Sequence, residues 1–312
     1  AGTLAEAYNW LGQSYGQLGQ HDKAIKALSQ AVKIEPDDKS YMYELGYVYY
    51  NADNYKQAIQ CYEKALLLLS LDEPVSSDVP DFLKPPACKT MPFIYPRLIY
   101  PRLAPSYYET GEYAKAINAY KKVIELDPEN TFALLMLGFA YFNLGQYPEA
   151  ISAFSLYIEA RPDDPYAHYR LGRAYYENKQ YDSAKSALLK AVQLKGDLSS
   201  ATLSNLYFSL GLAYSKLGRL EDTENAYQKA LEIDKNNEGA LLNLGVCHSK
   251  RGSKIMAADY YYRAGILYLK QNDRDGALLA LDNLSLTESP LYEKLYSKIY
   301  PDVPLKEKEK KK

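Results

Sequence analysis

Apolar residues recur along most of the chain at spacings of three and four, and short polar turns, often with glycine, interrupt them. This spacing places the apolar side chains on one face of an α-helix. Aspartate, asparagine or proline frequently stands just before a new apolar stretch, as expected at the start of a helix. The pattern therefore predicts an all-α chain built from short amphipathic helices joined by tight turns.

The predicted helices come in pairs that repeat every 34 residues. Gly138 and Tyr141, for example, recur as Gly172 and Tyr175. A glycine inside a helix lets a neighbouring helix approach closely, so its recurrence marks a packing position. One helix pair cannot bury its own apolar face, and stacked pairs must supply a common core.

These motifs resemble those of the tetratricopeptide repeat (TPR) family. With the register of that family, seven repeats cover 238 of the 312 residues, and we number them in chain order; they begin near Ala5, Lys39, Arg97, Thr131, Pro165, Ser204 and Glu238. The resemblance implies a right-handed TPR superhelix, an α-solenoid of about seven to eight helix-turn-helix repeats with C-terminal capping helices. It also implies that protein binding, and not catalysis, is the function.

The repeats divide the chain into five segments. We predict repeats 1 and 2 in 1–70, a Pro-rich insertion or linker in 71–96, repeats 3 to 7 in 97–271, capping helices in 272–300, and a charged disordered tail in 301–312. At the end of the third segment, one long helix at about 254–271 is expected to serve two helix pairs. Closing helices are expected at about 274–286 and 290–299.

Prolines concentrate between Pro74 and Pro105, where eight of the 16 occur. Proline lacks the backbone N–H and disfavours a helix interior. The interpretation is a surface loop or flexible joint, with a segment that folds back on a groove or docks a partner as the alternative. The segment ends in a tandem copy, 94–98 and 99–103, and Pro101 lies inside the expected first helix of repeat 3. We expect that helix to be short, kinked or late-starting.

Residues that carry chemistry are few and scattered. The histidines and cysteines have no metal-ligand spacing; they are His21, His168, His248, Cys61, Cys88 and Cys247. The phosphate-binding GxxxxGK[ST] and zinc HExxH motifs are missing from the sequence. We therefore predict no cofactor, no metal site and no enzyme activity, with the histidines in structural roles.

Charge and hydropathy narrow the classes of partner. Lys+Arg is 37 and Asp+Glu is 39, and the two signs interleave, so no basic stripe for nucleic acid emerges. The apolar runs, such as 65–69 and 132–137, are far too short to span a membrane. Localisation stays open: the cysteine usage fits the cytoplasm, and a periplasmic protein that has lost an upstream signal is the alternative.

Tyrosine is unusually abundant, with 33 tyrosines against 7 phenylalanines and 1 tryptophan. Seventeen fall on packing positions of the repeat, where the ring is expected to be buried while the hydroxyl reaches an edge. In TPR proteins the first helices line the concave face, and the resemblance places further aromatic, amide and arginine side chains there. The candidate binding residues are Tyr43, Tyr47, Tyr50, Asn51, Phe139, Phe142, Asn143, Tyr169, Arg173 and Tyr176.

These candidates suggest a groove for a peptide or partner surface. Aromatic and arginine side chains are enriched in binding hot spots. Asn51 and Asn143 hold equivalent places and suit a peptide backbone, while Arg173 suits a carboxylate. The prediction is a non-catalytic interaction scaffold or adaptor for an unidentified protein or peptide. The alternatives are a self-assembling module whose groove is filled by its insertion or by another copy, and a regulatory subunit of an enzyme or sensor complex.

Overall fold

The computed structural model describes residues 2–71, 94–196 and 198–301. These residues form 16 helices and no strand, and they divide into an N-terminal unit, 1–160, and a C-terminal unit, 161–312. The N-terminal unit holds α1 (Gly2–Gln17), α2 (His21–Ile34), α3 (Lys39–Asn51), α4 (Tyr55–Leu71), α5 (Ile94–Glu109), α6 (Tyr113–Leu126), α7 (Thr131–Asn143) and α8 (Tyr147–Ala160).

The C-terminal unit has the same alternation of first and second helices. It holds α9 (Pro165–Glu177), α10 (Tyr181–Leu194), α11 (Ser200–Lys216), α12 (Leu220–Ile233), α13 (Glu238–Lys250), α14 (Lys254–Lys270), α15 (Arg274–Ser285) and α16 (Leu291–Ile299). Four first helices, α3, α7, α9 and α13, begin at the residue where the repeat pattern starts. The array of helix pairs predicted from the sequence is therefore confirmed.

Side-chain caps explain why these helices begin where they do. The Asp38 carboxylate accepts hydrogen bonds from the backbone N–H groups of Ser40 and Tyr41, at 2.7 and 3.0 Å. The Asn130 side chain accepts one from Ala133 N–H at 3.0 Å. Each cap satisfies a donor that the first turn of a helix leaves without an intrahelical partner.

Small residues and large side chains alternate in the interior of each helix pair. Gly138 of α7 faces the Phe154 ring of α8 so closely that a Cβ at position 138 would lie 2.5 Å from a ring carbon. Gly211 and Tyr227 form the same pair in α11 and α12. The first helix of each pair also packs on the second helix before it, since Leu206 of α11 lies in one cluster with residues of α10. The core therefore runs continuously from repeat to repeat within each unit.

The C-terminal end is closed by extra helices, as the sequence predicts. Helix α14 packs on both α13 and α15, so it serves two pairs. The last helix, α16, buries Leu295 and Ile299 against this end, and Leu295 contacts the position of Gly265 on α14. The predicted bounds of these helices are correct to within one residue at each end.

Helix α5 contradicts the expectation of a short or late-starting helix in repeat 3. It has 16 residues, starts at Ile94 and continues through Pro101 and Pro105. Each of these prolines removes a backbone N–H from the helix. Packing compensates, because Ile99 and Leu103 are almost fully buried.

Three buried tyrosines correct the expectation that their hydroxyls reach an edge. The hydroxyls of Tyr62, Tyr120 and Tyr227 are buried and have no hydrogen-bond partner among the described residues. Burial raises the pKa of each of these phenols, because the charged phenolate would lose its water. The Tyr62 and Tyr227 rings face Gly46 and Gly211 in the interior of a helix pair, and the hydroxyls are buried with them.

Several predictions fall outside the described residues. They concern the conformation of most of the Pro-rich insertion, the thiol of Cys88, and almost all of the charged tail. Of the predicted insertion, 71–96, the structure describes residues 71 and 94–96.

Candidate partner-binding surface

The ten predicted binding residues fall into two groups, seven in the N-terminal unit and three in the C-terminal unit. In the first group, Tyr43, Tyr47 and Tyr50 share one face of α3 because they are four and three residues apart. All three rings are half-buried. The rings of Tyr43 and Tyr47 stack with centroids 6.5 Å apart, and Tyr95 of α5 meets Tyr43 edge-on at 6.3 Å.

Arg102 of α5 crosses this aromatic face. Its guanidinium carbon lies 4.8 Å from the centroid of the Tyr47 ring, within cation–π range. Burial raises the pKa of the neighbouring Glu44 carboxyl, while Arg102 and a hydrogen bond from Gln13 oppose that rise. The aromatic face of α3 is therefore partly covered by side chains of its own unit.

Tyr50 and Asn51 lie at the end of α3. The Tyr50 ring packs edge-on against Tyr55 with centroids 5.8 Å apart, and burial raises the pKa of its hydroxyl. The Tyr55 hydroxyl donates a 2.8 Å hydrogen bond to the Asp53 carboxylate, which raises its pKa to about 12. Asn51 is exposed, so its amide points to solvent where a partner can reach it.

Phe142 and Asn143 occupy the equivalent end of α7. The Phe142 ring is half-buried and packs edge-on against Tyr147 at 5.5 Å. The Asn143 amide donates a 2.8 Å hydrogen bond to the hydroxyl of Tyr108 on α5. A peptide backbone that used this amide would compete with that hydrogen bond.

Two of the ten residues are buried, which corrects the expectation that every ring in the set faces a groove. Phe139 is 7% exposed and packs edge-on against Phe154 at 5.4 Å. Tyr169 is 5% exposed and lies in a cluster with residues of α10 and α11. Phe139 is therefore enclosed by its own helix pair, whereas the small exposed part of Tyr169 borders a pocket between α9 and α11.

The three residues of the C-terminal unit meet at a pocket. The pocket has a volume of about 240 Å³ and lies between α9 and α11; it is lined by Tyr169, Arg173, Tyr176, Glu177, Asn205, Phe208, Ser209 and Leu212. The Tyr176 ring is half-buried and packs against Tyr181 at 5.5 Å, and burial raises the pKa of its hydroxyl. The arrangement combines an apolar wall with hydroxyl, amide, guanidinium and carboxylate groups.

Sequence reasoning did not include some residues of these surfaces among the binding candidates. Asn205 and Ser209 line the pocket and stand at the second and sixth places of repeat 6, so the positional rule of the family could have found them. Tyr95 and Arg102 are not among the ten candidates because α5 was expected to be short or to start late; the repeat register places Arg102 on the concave face only if that helix forms. The sequence contains no local signal for the full length of α5, because the packing of Ile99 and Leu103 decides that length.

A second cluster of polar groups lies between α12 and α13. The Glu224 carboxylate is 2.6 Å from the Arg251 guanidinium and 3.5 Å from the His248 ring, which stacks on Tyr260. His248 is buried, as its repeat position predicts.

Within the described ranges, no group of three or more His, Cys, Asp or Glu side chains is arranged to hold a metal ion. In those ranges, too, every helix is too short or too polar to cross a membrane.

Comparison with protein families shows what this array is. Three models, each described as a tetratricopeptide repeat, match residues 5–38 and 204–237, residues 40–70 and 165–198, and residues 107–168. These matches fall on the helix pairs described above. The chain therefore belongs to the tetratricopeptide repeat family.

Solved structures agree with this assignment. MamA 41-end from Desulfovibrio magneticus RS-1 is 26% identical, covers 56% of this chain and 97% of its own, and has a TM-score of 0.52. A tetratricopeptide repeat protein from Parabacteroides merdae ATCC 43184 is 18% identical, covers 90% of this chain and 100% of its own, and has a TM-score of 0.55, so it shows the fold alone. No curated protein matches the chain. The family and these neighbours support a protein-interaction scaffold in general.

Proposed function

We propose that this chain is a non-catalytic scaffold or adaptor that binds a peptide segment of a partner protein, with the pocket between α9 and α11 as the main contact. One observation carries the proposal: three of the ten residues predicted from the sequence, Tyr169, Arg173 and Tyr176, line the same pocket. Concave sites with an apolar wall and a few polar groups are the usual form of a ligand site.

The lining indicates what kind of peptide fits. Phe208, Leu212 and the Tyr176 ring supply apolar surface for one aliphatic or aromatic side chain. Asn205 and Ser209 supply an amide and a hydroxyl that suit the backbone of an extended peptide. Arg173 favours an acidic residue beside the apolar anchor, since guanidinium and carboxylate form charge-assisted hydrogen bonds. This acidic residue would add to a contact that Arg173 already makes within the chain, and it would lie near Glu177 of the same lining.

The N-terminal unit adds a second, weaker surface to this proposal. Its exposed or half-buried candidates are Tyr43, Tyr47, Tyr50, Asn51, Phe142 and Asn143. Its own side chains already engage several of them, as Arg102 engages Tyr47. A partner that binds there must displace or add to these contacts, which reduces the net free energy of binding.

Selection from a displayed library of short random peptides tests the proposal on the full chain. We expect enriched peptides with an apolar residue next to an acidic one. Their affinity should fall by about tenfold or more in Arg173→Ala and in Tyr176→Ala, the size of a hot-spot loss. Arg263→Ala is the matched control, because Arg263 is a half-exposed arginine on α14 of the same unit.

Two results would contradict the proposal. The first is the selection of no peptide by the folded chain. The second is equal binding by wild type, Arg173→Ala and Tyr176→Ala, which would move recognition to another surface. Circular dichroism of each variant separates lost binding from lost folding.

A further inference from the structure

A carboxylate lies within the aromatic face of α3. Glu44 is half-buried, stands beside Tyr43 and precedes Tyr47 by three residues, a spacing that puts two side chains on one face of a helix. Gln13 of α1 donates a hydrogen bond to this carboxylate. The ion pairs formed between described residues do not include Glu44. A carboxylate that is partly removed from water and lacks a paired cation favours the approach of a positive charge.

Arg102 of α5 supplies a positive charge nearby without pairing directly with this carboxylate. Its guanidinium carbon lies 4.8 Å from the centroid of the Tyr47 ring. Its Nη1 donates a 2.9 Å hydrogen bond to the backbone carbonyl of Leu98, in the same helix. The positive charge of Arg102 opposes the rise in pKa that burial causes at Glu44 and Tyr43. The aromatic face therefore holds a cation of its own chain, over a ring and beside a carboxylate.

Further negative charge surrounds the same face. Glu109 and Asp53 raise the pKa of the Tyr50 hydroxyl, in addition to the effect of burial. Arg102 opposes them. With Glu44, three carboxylates thus act on this face against the guanidinium of Arg102. Both the carboxylates and the negative faces of the aromatic rings attract cations, so the charge of a complementary partner is positive.

We propose that Glu44 and the rings of Tyr43 and Tyr47 form a binding site for an arginine side chain of a partner protein. The arriving guanidinium replaces Arg102 over the Tyr47 ring and forms the ion pair with Glu44 that Arg102 does not form. Arginine suits the site better than lysine, because the planar guanidinium stacks on a ring while its several N–H donors reach a carboxylate. This inference rests on the proposed peptide-binding function and assigns a partner chemistry to its second surface.

Titration of the full chain with the peptide acetyl-Ala-Arg-Ala-amide tests the site, with NMR of the backbone amides as the measurement. The control peptide contains citrulline in place of arginine, which keeps the planar end group and removes its charge. We expect the arginine peptide to shift the amide signals of α3 and α5. We also expect it to bind about tenfold more tightly than the citrulline peptide, because cation–π attraction and the ion pair both require the charge.

Variants of the site separate the contributions of its residues. Arg102→Gln should tighten binding of the arginine peptide by about three- to tenfold, because it removes the internal competitor. Arg97→Gln is the matched control: Arg97 is the equivalent arginine of the tandem copy, about 140° around α5, and its loss should leave the affinity unchanged. Glu44→Gln and Tyr47→Leu should each weaken binding by about tenfold, whereas Tyr47→Phe, which keeps the ring, should stay within about threefold of wild type.

Three results would overturn the proposal. The first is equal affinity for the arginine and citrulline peptides. The second is unchanged or weaker binding by Arg102→Gln, which would make Arg102 a packing residue. The third is loss of binding in Glu177→Gln but not in Glu44→Gln, which would move the cation to the pocket between α9 and α11. The amide spectrum of each variant shows whether it is folded.

The same titration separates this inference from the proposed function. Arg173→Ala should leave the affinity for the arginine peptide unchanged, because Arg173 lines the pocket of the C-terminal unit. If the library selects no peptide that depends on Arg173 while the arginine peptide still binds through Glu44, the main pocket fails and the arginine site stands. If library peptides depend on Arg173 and the arginine peptide does not bind, the arginine site alone is wrong.

Discussion

Lys179 adopts the left-handed backbone conformation that Gly145 adopts 34 residues earlier, with φ angles of 61° and 77°. Both residues follow a first helix and reverse the chain into the second helix. Glycine takes this conformation without steric cost, whereas an L-residue places its Cβ too close to a carbonyl oxygen. The backbone of Lys179 is therefore strained in a turn where five other repeats have glycine.

Replacing this lysine should stabilise the protein. We expect Lys179→Gly to raise the free energy of unfolding by about 0.5–1 kcal/mol, since relief of strain exceeds the extra freedom of glycine in the unfolded chain. Urea unfolding measures the change. Lys190→Gly, inside α10, is the control and should lower stability by about 1 kcal/mol. A loss of stability in Lys179→Gly would show that the lysine side chain stabilises the turn.

Gly138 should be intolerant of even one methyl group. Its Cβ would lie 2.5 Å from the Phe154 ring, so we expect Gly138→Ala to lower the free energy of unfolding by roughly 1–3 kcal/mol through overpacking. Gly16→Ala provides the contrast, because the nearest atom to that Cβ is 3.5 Å away on Val48. There the better helix propensity of alanine should raise stability by up to about 1 kcal/mol. Equal effects at the two sites would contradict the packing argument.

The buried hydroxyl of Tyr227 should weaken the fold. It has no hydrogen-bond partner among the described residues, and a buried polar group without one costs about 1–3 kcal/mol. Tyr227→Phe should therefore raise the melting temperature. Tyr107→Phe should lower it, because the Tyr107 hydroxyl donates a 2.6 Å hydrogen bond to the Glu63 carboxylate. Shifts of the same sign in both variants would argue against this account.

Stability should fall at alkaline pH, in part through Cys61. Burial raises the pKa of this thiol from 9.0 to about 11. Between these two values the unfolded chain loses the proton and the folded chain keeps it, so rising pH favours unfolding. The stability that the protonated Cys61 thiol contributes is fully present below about pH 9 and fully lost above about pH 11.

Urea unfolding as a function of pH measures this linkage. Removing the thiol in Cys61→Ala should make the decline across that pH range shallower, by on the order of 2 kcal/mol. The native thiol should also react slowly with iodoacetamide, because the thiolate is the reactive form. Fast modification of Cys61 in the folded chain would show that the thiol is accessible.

The two units differ in how the structure arranges the predicted binding residues. The positional rule of the repeat selected Tyr169, Arg173 and Tyr176, which line one pocket because a helix fixes which positions share a face. That these residues bind a partner stays a prediction. The rule did not separate the half-buried Tyr176 from the buried Tyr169. Burial depends on how closely the next helix packs, and a helical period contains no information on that distance.

The sequence by itself determined the helix pairs, their period and most of their boundaries. These features depend on local causes: apolar spacing, caps such as Asp38, and the recurrence of glycine where helices meet. Only the tertiary structure decided that α5 runs through Pro101 and Pro105, that Arg102 covers Tyr47, and that Tyr169 is buried. Each of these depends on contacts between helices that are distant in the chain, where packing free energy outweighs local preference.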